Sequence, residues 1–499
     1  MRSFVIAISI SLIAVAASAQ LTEAVIDKDV RDTIEAWHLP GLAIVVVQND
    51  RVIFLKSYGI KEAGKTDPVT ADTLFELGST TKAFTATAMA MLADEKKLSW
   101  DDPVRNYLPG FHVADSCTDS LITLRDIASH RSGVARHDEL WDDSDFSRDE
   151  LIYRIGMMRI WRPIRAGYQY NNLMFVTAGE AAASAAKMPW EQLILTRIFV
   201  PLGMTESRIA FADWPKSDHA TGHRWVSESQ RSAIQPMRNY DALAPAGTIK
   251  SSAHDMAQWL RFQLAGGVID GKRLLSQEAL DETHAPQTII PVGPATHELY
   301  PDTNFLTYAL GWNASDYHGE LLVAHAGALN GFRSNVALLP KRNLGIAILE
   351  NVGRGTALAA LRNTIIDQFL GAPARDWNGQ LLGNEKVEGA KAEARLAERV
   401  AKRATAPKPS HDLAAYAGTF HNAGFGDATI SAANDALVLH WERITLPLVH
   451  ENYDTFSAID TVEDIDEPLQ FRLSPDGTVT ALTLFGEEFV LAQKTKDLR

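Results

Sequence analysis

Between Gly41 and Gly59 the chain reads GLAIVVVQNDRVIFLKSYG, two apolar, β-branched runs meeting at Asn49-Asp50, which is the pattern of a β-hairpin. Ahead of it, Val25, Val30, Ile34 and Trp37 recur at roughly helical spacing and predict an amphipathic helix over Gln20–Trp37. After it, a short strand ends near Leu77, Gly78 acts as a hinge, and a helix is expected from about Ser79 to Asp94. Phe84, Ala88, Met91 and Leu92 would share its apolar face. From Ser120 to Gly267 the pattern is mainly helix and loop. Between Tyr308 and Asn351 it turns to strands (YALGWNAS, LLVAHAG, FRSNVALLP, LGIAILEN), and a helix is expected over Thr356–Leu370.

The order is strands, helices, then strands again, without a regular βαβ alternation. It predicts an α+β fold: an antiparallel sheet assembled from both ends of the domain and flanked by helices. From Gly371 to Ser410 the chain becomes rich in Ala, Glu, Lys and Arg and ends in ATAPKPS, which reads as a solvated helix and a hinge. The rest, His411–Arg499, alternates in short runs with turns at Asn434-Asp435 and Pro475-Asp476-Gly477, as a small all-β barrel or sandwich would. Residues 1–19 differ from all of this. Arg2, an apolar run from Phe4 to about Ala17, and Ala17-Ser18-Ala19 form a cleavable export signal too short to span a bilayer comfortably. The expected organisation is therefore signal 1–19, main domain 20–370, linker 371–410 and all-β domain 411–499, with the mature protein periplasmic or secreted and carrying no stable membrane span.

The chain has 499 residues, 46% hydrophobic and 22% charged, a globular composition long enough for two or three domains. A net charge of −14 without a basic stripe argues against a nucleic-acid partner. The single cysteine, Cys117, excludes an internal disulfide framework and reads as a small, partly buried thiol. The 15 histidines form no metal-ligand spacing, so neither a metal nor another cofactor is expected. DDSDFSRDE lacks the glycine and glutamate of a calcium loop, and Ser147 with Glu150 reads instead as a capping box. Trp141, Trp161, Trp214 and Trp312 read as packing residues.

Candidate chemistry begins at Ser79-Thr-Thr-Lys82. A serine in the first helical turn has an unsatisfied N–H beside it and the positive end of the helix beneath it, and a lysine three residues on shares its face. A nucleophile, a base and an oxyanion donor come within one turn. On this stretch alone a simple helix cap is as good a reading. A second copy, Ser184-Ala-Ala-Lys187, lies inside an Ala-rich helix, where the serine is expected to bond back to a carbonyl one turn earlier. Two further triplets occur once each, Tyr170-Asn171-Asn172 and His325-Ala326-Gly327.

Taken together, these motifs resemble the serine β-lactamase and penicillin-binding-protein superfamily, in particular its class C-like branch, which includes esterases, D-aminopeptidases and related peptidases. LITLRDIASHRSGV, with His130, Ser132 and Gly133, APAGTIKSSAHDMAQWL, and YALGW followed by HAGALNGFRSNVALLPKRNLGIAILEN carry the likeness from about Val25 to Leu370. YAGTFHNAGFGDATI resembles the lipocalin-like barrel that follows some of these domains. The resemblance implies an antiparallel sheet and an all-helical lobe with the site between them. It implies Ser79 as the acylated nucleophile, Lys82 as base or proton relay, and Tyr170 as second base and acid to the leaving group. Asn172 would hold a substrate carbonyl or amide, His325 and Gly327 would border the cleft, and the N–H groups of Ser79 and Ala328 would form the oxyanion hole.

Many β-lactamases carry Lys-Thr-Gly at the third motif. His-Ala-Gly replaces a fixed charge by a weaker, pH-dependent one and removes a hydroxyl. The expectation is thus an exported serine hydrolase acting through an acyl-enzyme on amides or esters, with peptides, including D-residue peptides, favoured. A β-lactamase and a sensor protein acylated without turnover are the alternatives. The expected partner is a small-molecule or peptide substrate; the oligomeric state and the proton arrangement of Lys82 and Tyr170 stay open.

Overall fold

The computed structural model describes residues 22–226, 231–433, 435–460 and 465–492, so the expected signal segment and Asn434 lie outside the described residues. The main sheet is antiparallel and eight-stranded. Its strands are β1 (Gly41–Gln48), β2 (Arg51–Gly59), β3 (Thr288–Ile290), β4 (Leu306–Tyr308), β5 (Asn313–Tyr317), β6 (Glu320–Leu329), β7 (Phe332–Leu339) and β8 (Leu344–Glu350), in the order β2-β1-β8-β7-β6-β5-β4-β3. β1 from the start of the domain pairs with β8 from its end, Val45 opposite Ala347. β1 is apolar without alternation because both its faces are covered, and every residue but Gln48 is buried. Asn49 and Asp50, at φ of 50° and 61°, make the left-handed turn expected of the β1–β2 hairpin.

Helices α1 (Glu23–Trp37) and α5 (Gly355–Leu370) cover one face of the sheet, through Ile26, Val30, Trp37, Leu361 and Ile365. The buried stripe of α1 runs through Ile26, one residue away from the expected Val25, which is exposed. Against the other face lie α2 (Thr81–Asp94) and α4 (Ala253–Leu264), where Phe84 and Trp259 stack at 3.8 Å. α2 is buried all round from Thr81 to Leu92, so the single apolar face expected of it is replaced by a central helix wrapped by both lobes. α3 (Asn172–Ala186) and the short helices of residues 116–202 form the helical lobe. Ser147 and Glu150 form the expected capping box. Cys117 is exposed, contrary to the expected partial burial.

The linker is one long helix, α6 (Trp377–Arg403), docked at its start by Trp377 and Leu381, largely exposed in its middle, and tied to the barrel near its end by Arg399 and Arg403, which pair with Glu451. A closed antiparallel barrel follows, eight strands in simple sequential order from Gly418–Asn422 to Glu487–Leu491. It rests on the helical lobe: His137 meets Glu487 at 3.2 Å, and the Arg154 guanidinium donates to the Gly424 carbonyl at 2.8 Å. Among the described residues, no helix is long and apolar enough to cross a membrane.

Candidate active site

Ser79 occupies a 3-10 turn, Gly78–Thr80, that leads directly into α2. Gly78 has φ of 53°, and a Cβ on it would stand 2.4 Å from the nitrogen of Ala328. A Cβ on Gly327 would stand 1.8 Å from the Leu77 carbonyl oxygen. Both glycines are therefore required for the turn and β6 to touch backbone to backbone. Ser334 on β7 pins the contact by donating to the Leu77 carbonyl at 2.6 Å. Its one proton thus used, it accepts from the Thr80 hydroxyl, also at 2.6 Å.

The hairpin after β6 sets the other half of this junction. Asn330 and Gly331, at φ of 44° and 79°, form a two-residue turn between Leu329 and Phe332. Leu329 and Phe332 then make the first hydrogen-bonded pair, and Ala328 opposite Arg333 falls at a non-hydrogen-bonded position. Its N–H points away from β7. β5 pairs with β6 only as far as Ala324, so that N–H faces the turn carrying Ser79.

Lys82 is wholly buried, and its Nζ has three partners: the Asn172 Oδ1 and the Ala246 carbonyl oxygen at 2.7 Å each, and the Ser79 Oγ at 3.0 Å. The first two can only accept. Burial drives the Lys82 pKa well below its usual value; Asp138 opposes this and Arg136 adds to it. A neutral amine has two N–H bonds for the two obligate acceptors, and its lone pair is left for the Ser79 hydroxyl. Tyr170 shifts the opposite way. Burial raises its pKa despite a hydrogen-bond contribution from the Ser79 side chain, so it stays a neutral phenol. Its ring lies 4.9 Å from the lysine nitrogen. Burial thus disfavours both charged forms, the ammonium of Lys82 and the phenolate of Tyr170.

Asn171 caps α3 by accepting from the Met174 N–H, which turns Asn172 into the first helical turn and leaves Tyr170 just outside it. The Asn172 amide is shared: its oxygen takes the lysine, and its nitrogen donates to the Asp138 Oδ1 at 3.0 Å. Asn172 thus holds Lys82, a contact the sequence reading did not assign to it. His325 donates from Nδ1 to the Ala326 carbonyl at 2.7 Å, which leaves Nε2 to accept from the Tyr308 hydroxyl at 3.0 Å. Burial lowers its pKa to about 3. His325 is neutral throughout the physiological range, so the pH-dependent charge expected at this motif is absent.

Asp138, Arg136 and Tyr308 are site residues that sequence reasoning missed. Asp138 holds Asn172 and accepts from the Trp141 indole at 2.7 Å; Arg136 pairs with Asp138 and lies 5.2 Å from the Tyr170 ring. No local pattern marks them. Of the four tryptophans read as packing residues, Trp214 and Trp312 are buried, Trp161 is exposed, and Trp141 borders the site. Ser184 donates to the Tyr107 carbonyl at 2.7 Å, a contact with another segment in place of the expected bond within its own helix. Lys187 is the left-handed cap of α3. Among the described residues no group of three or more His, Cys, Asp or Glu side chains could hold a metal ion.

Comparison with known proteins agrees with this geometry. The family model described as Beta-lactamase matches residues 26–370, and a domain of unknown function (DUF3471) matches 402–498. The unguisins hydrolase ungD' of Aspergillus campestris is 28% identical, with 92% of this chain and 88% of that protein covered. Protein flp of Staphylococcus aureus is 25% identical over 66% of this chain and 62% of its own. The octameric penicillin-binding protein homologue from Pyrococcus abyssi superposes with a TM-score of 0.61 at 19% identity, covering 93% of this chain and 98% of that one, and shares the fold. With its hydrolase domain matched from end to end and a serine, a buried lysine and a tyrosine gathered at the junction of its two lobes, the chain belongs to the beta-lactamase family of serine hydrolase folds.

Proposed function

We propose that the protein is an exported serine hydrolase that cleaves amide or ester bonds through an acyl-enzyme on Ser79, with peptides as the favoured substrates. The observation that carries this is the Lys82 amine, held by two obligate acceptors so that its remaining contact, at 3.0 Å, falls on the Ser79 oxygen. The Ser79 proton passes to Lys82 as the oxygen attacks the substrate carbonyl carbon. The resulting oxyanion is stabilised by the N–H groups of Ser79 and Ala328. Tyr170 gives its phenolic proton to the leaving nitrogen or oxygen and recovers one from the Lys82 ammonium, which restores the neutral pair. Water then takes the place of Ser79 as nucleophile, with the same two groups moving its proton. That two relatives are named as hydrolases of unguisins supports hydrolysis as the reaction class.

The test is mass spectrometry after treatment with a fluorophosphonate. One adduct is expected on Ser79, absent in Ser79→Ala; an adduct on Ser184, or labelling that survives the substitution, overturns the assignment. The neutral His325 offers no fixed charge to a β-lactam carboxylate, so nitrocefin turnover is expected to be slow.

A further inference from the structure

A cavity of about 650 Å³ opens beyond the oxyanion-hole end of β6, sharing Ala328 with the site and running past Asn330 and Gly331. Four arginines line it, Arg224, Arg238, Arg333 and Arg354, in a chain whose overall charge is −14. Two of them are matched. Arg354 donates to Glu385 of α6 at 2.6 Å, and Arg238 lies 3.8 Å from Asp143 and 4.0 Å from Asp142. Arg333 and Arg224 differ. Among the described residues neither has a carboxylate within ion-pair distance, and the one hydrogen bond from the Arg333 guanidinium is to its neighbour's carbonyl, Phe332, at 2.8 Å. Glu350, opposite Arg333 on β8, makes no ion pair with it; burial raises the Glu350 pKa to about 8, and the charge of Arg333 opposes that rise.

The position of this cavity assigns it to one half of the substrate. Tyr170, which protonates the leaving group in the proposed reaction, lies toward His325, with ring centroids 6.5 Å apart. Ala328 is further along β6, and the cavity continues in the same direction. A substrate extended along the free edge of β6 would place its leaving group at the His325 end and its acyl portion at the Ala328 end. Ala328, Leu329, Asn330 and Gly331 all line the cavity, so it follows β6 into its turn to β7, where an acidic side chain or a dicarboxylic acyl group of the substrate would lie. The cavity is walled by more than one domain, since Glu385 belongs to the linker helix and Ile465 to the barrel.

We propose that this cavity is an anion subsite in which Arg333 and Arg224 bind a carboxylate on the acyl side of the scissile bond, so that the enzyme selects substrates whose acyl half is acidic. Planar guanidinium groups suit this role because they match a carboxylate with paired N–H donors. The inference rests on the hydrolase reading above and extends it to a substrate class.

The experiment compares p-nitrophenyl esters of glutaric acid with the isosteric neutral methyl glutarate esters. The expected kcat/KM ratio favours the carboxylate by about tenfold or more, the scale of a charged hydrogen bond, and falls as salt is raised. Arg224→Gln and Arg333→Gln should each lower the ratio several-fold, with Arg333→Lys retaining part of it. Free glutarate should slow fluorophosphonate labelling of Ser79 in the wild type more than in Arg224→Gln. If Arg333→Gln does not fold, Arg224→Gln and the glutarate protection decide the matter. A wild-type ratio near one, or a ratio unchanged in the variants, overturns the subsite while leaving the hydrolase intact. No ester turnover together with no label on Ser79 overturns the hydrolase reading itself.

Discussion

Inside the barrel, Phe420, Ile430, Leu439, Trp441, Phe456, Phe471 and Phe489 are buried against one another, and the Tyr416 ring packs on Phe471 at 4.8 Å. Between α2 and β6 of the hydrolase domain, Lys82, His130 and His325 are buried just as deeply. The barrel interior follows the ordinary rule that burial selects apolar groups, and eight strands close on a space that side chains fill. The site breaks the same rule and is held by hydrogen bonds from outside its own segment: Asp138 on Asn172, Tyr308 on His325, Ser334 on the turn carrying Ser79. Buried polarity with imported support marks function; buried apolarity marks architecture.

The sharpest way to break this contrast is to change one buried residue in each region. Lys82→Met should lower the acylation rate by about 10³-fold or more, read by stopped-flow labelling with a fluorophosphonate, because the serine loses its base. Trp441→Ala should instead cost stability, on the order of 3–5 kcal/mol by denaturant unfolding of the barrel. Turnover per labelled Ser79 should stay close to wild type. A Trp441 variant that remains stable but loses turnover would erase the distinction.

Asp138→Asn addresses the imported support. It is expected to lower kcat/KM by about 10- to 100-fold, by analogy with groups that orient metal-binding side chains through hydrogen bonds. The pH profile carries the sign. Lys82 must be neutral to act, so activity rises with pH through its pKa. Asp138 raises that pKa, and removing its charge moves the acid limb of the profile to lower pH. His325, with a pKa near about 3, contributes no inflection at neutral pH.

The smallest effect is expected where the two regions meet. Burial opposes protonation of His137, but hydrogen bonds to Glu139 and Glu487 outweigh it and its pKa is raised. The docking it supports is present in full below the unfolded pKa and is lost as pH rises through the raised folded value. His137→Gln should flatten this dependence, measured as protease sensitivity of the barrel linkage against pH.

Much of this molecule was legible before any coordinates. The unbroken apolar run of β1, the Asn49-Asp50 turn, the two-ended sheet and the strand-rich C-terminal domain all rest on short-range regularities that a one-dimensional pattern preserves. Ser79 stood apart from Ser184 for the same reason, since its glycine hinge and helix start are local. The expected face of α2 was misjudged because a helix wrapped on all sides loses its periodicity. Asp138, Arg136 and Tyr308 went unnoticed because each acts on a residue at least 17 positions away, Tyr308 on His325 being the nearest such pair.

The sequence by itself determined most of the elements and where the candidate motifs lie on them, because backbone propensity and hydrophobic period act over a few residues. Only the tertiary structure decided that burial disfavours a charge on Lys82 and on His325, and that, among the described residues, Arg224 and Arg333 have no carboxylate within ion-pair distance. Those are properties of burial and of through-space neighbours, and neither exists until distant segments have packed together.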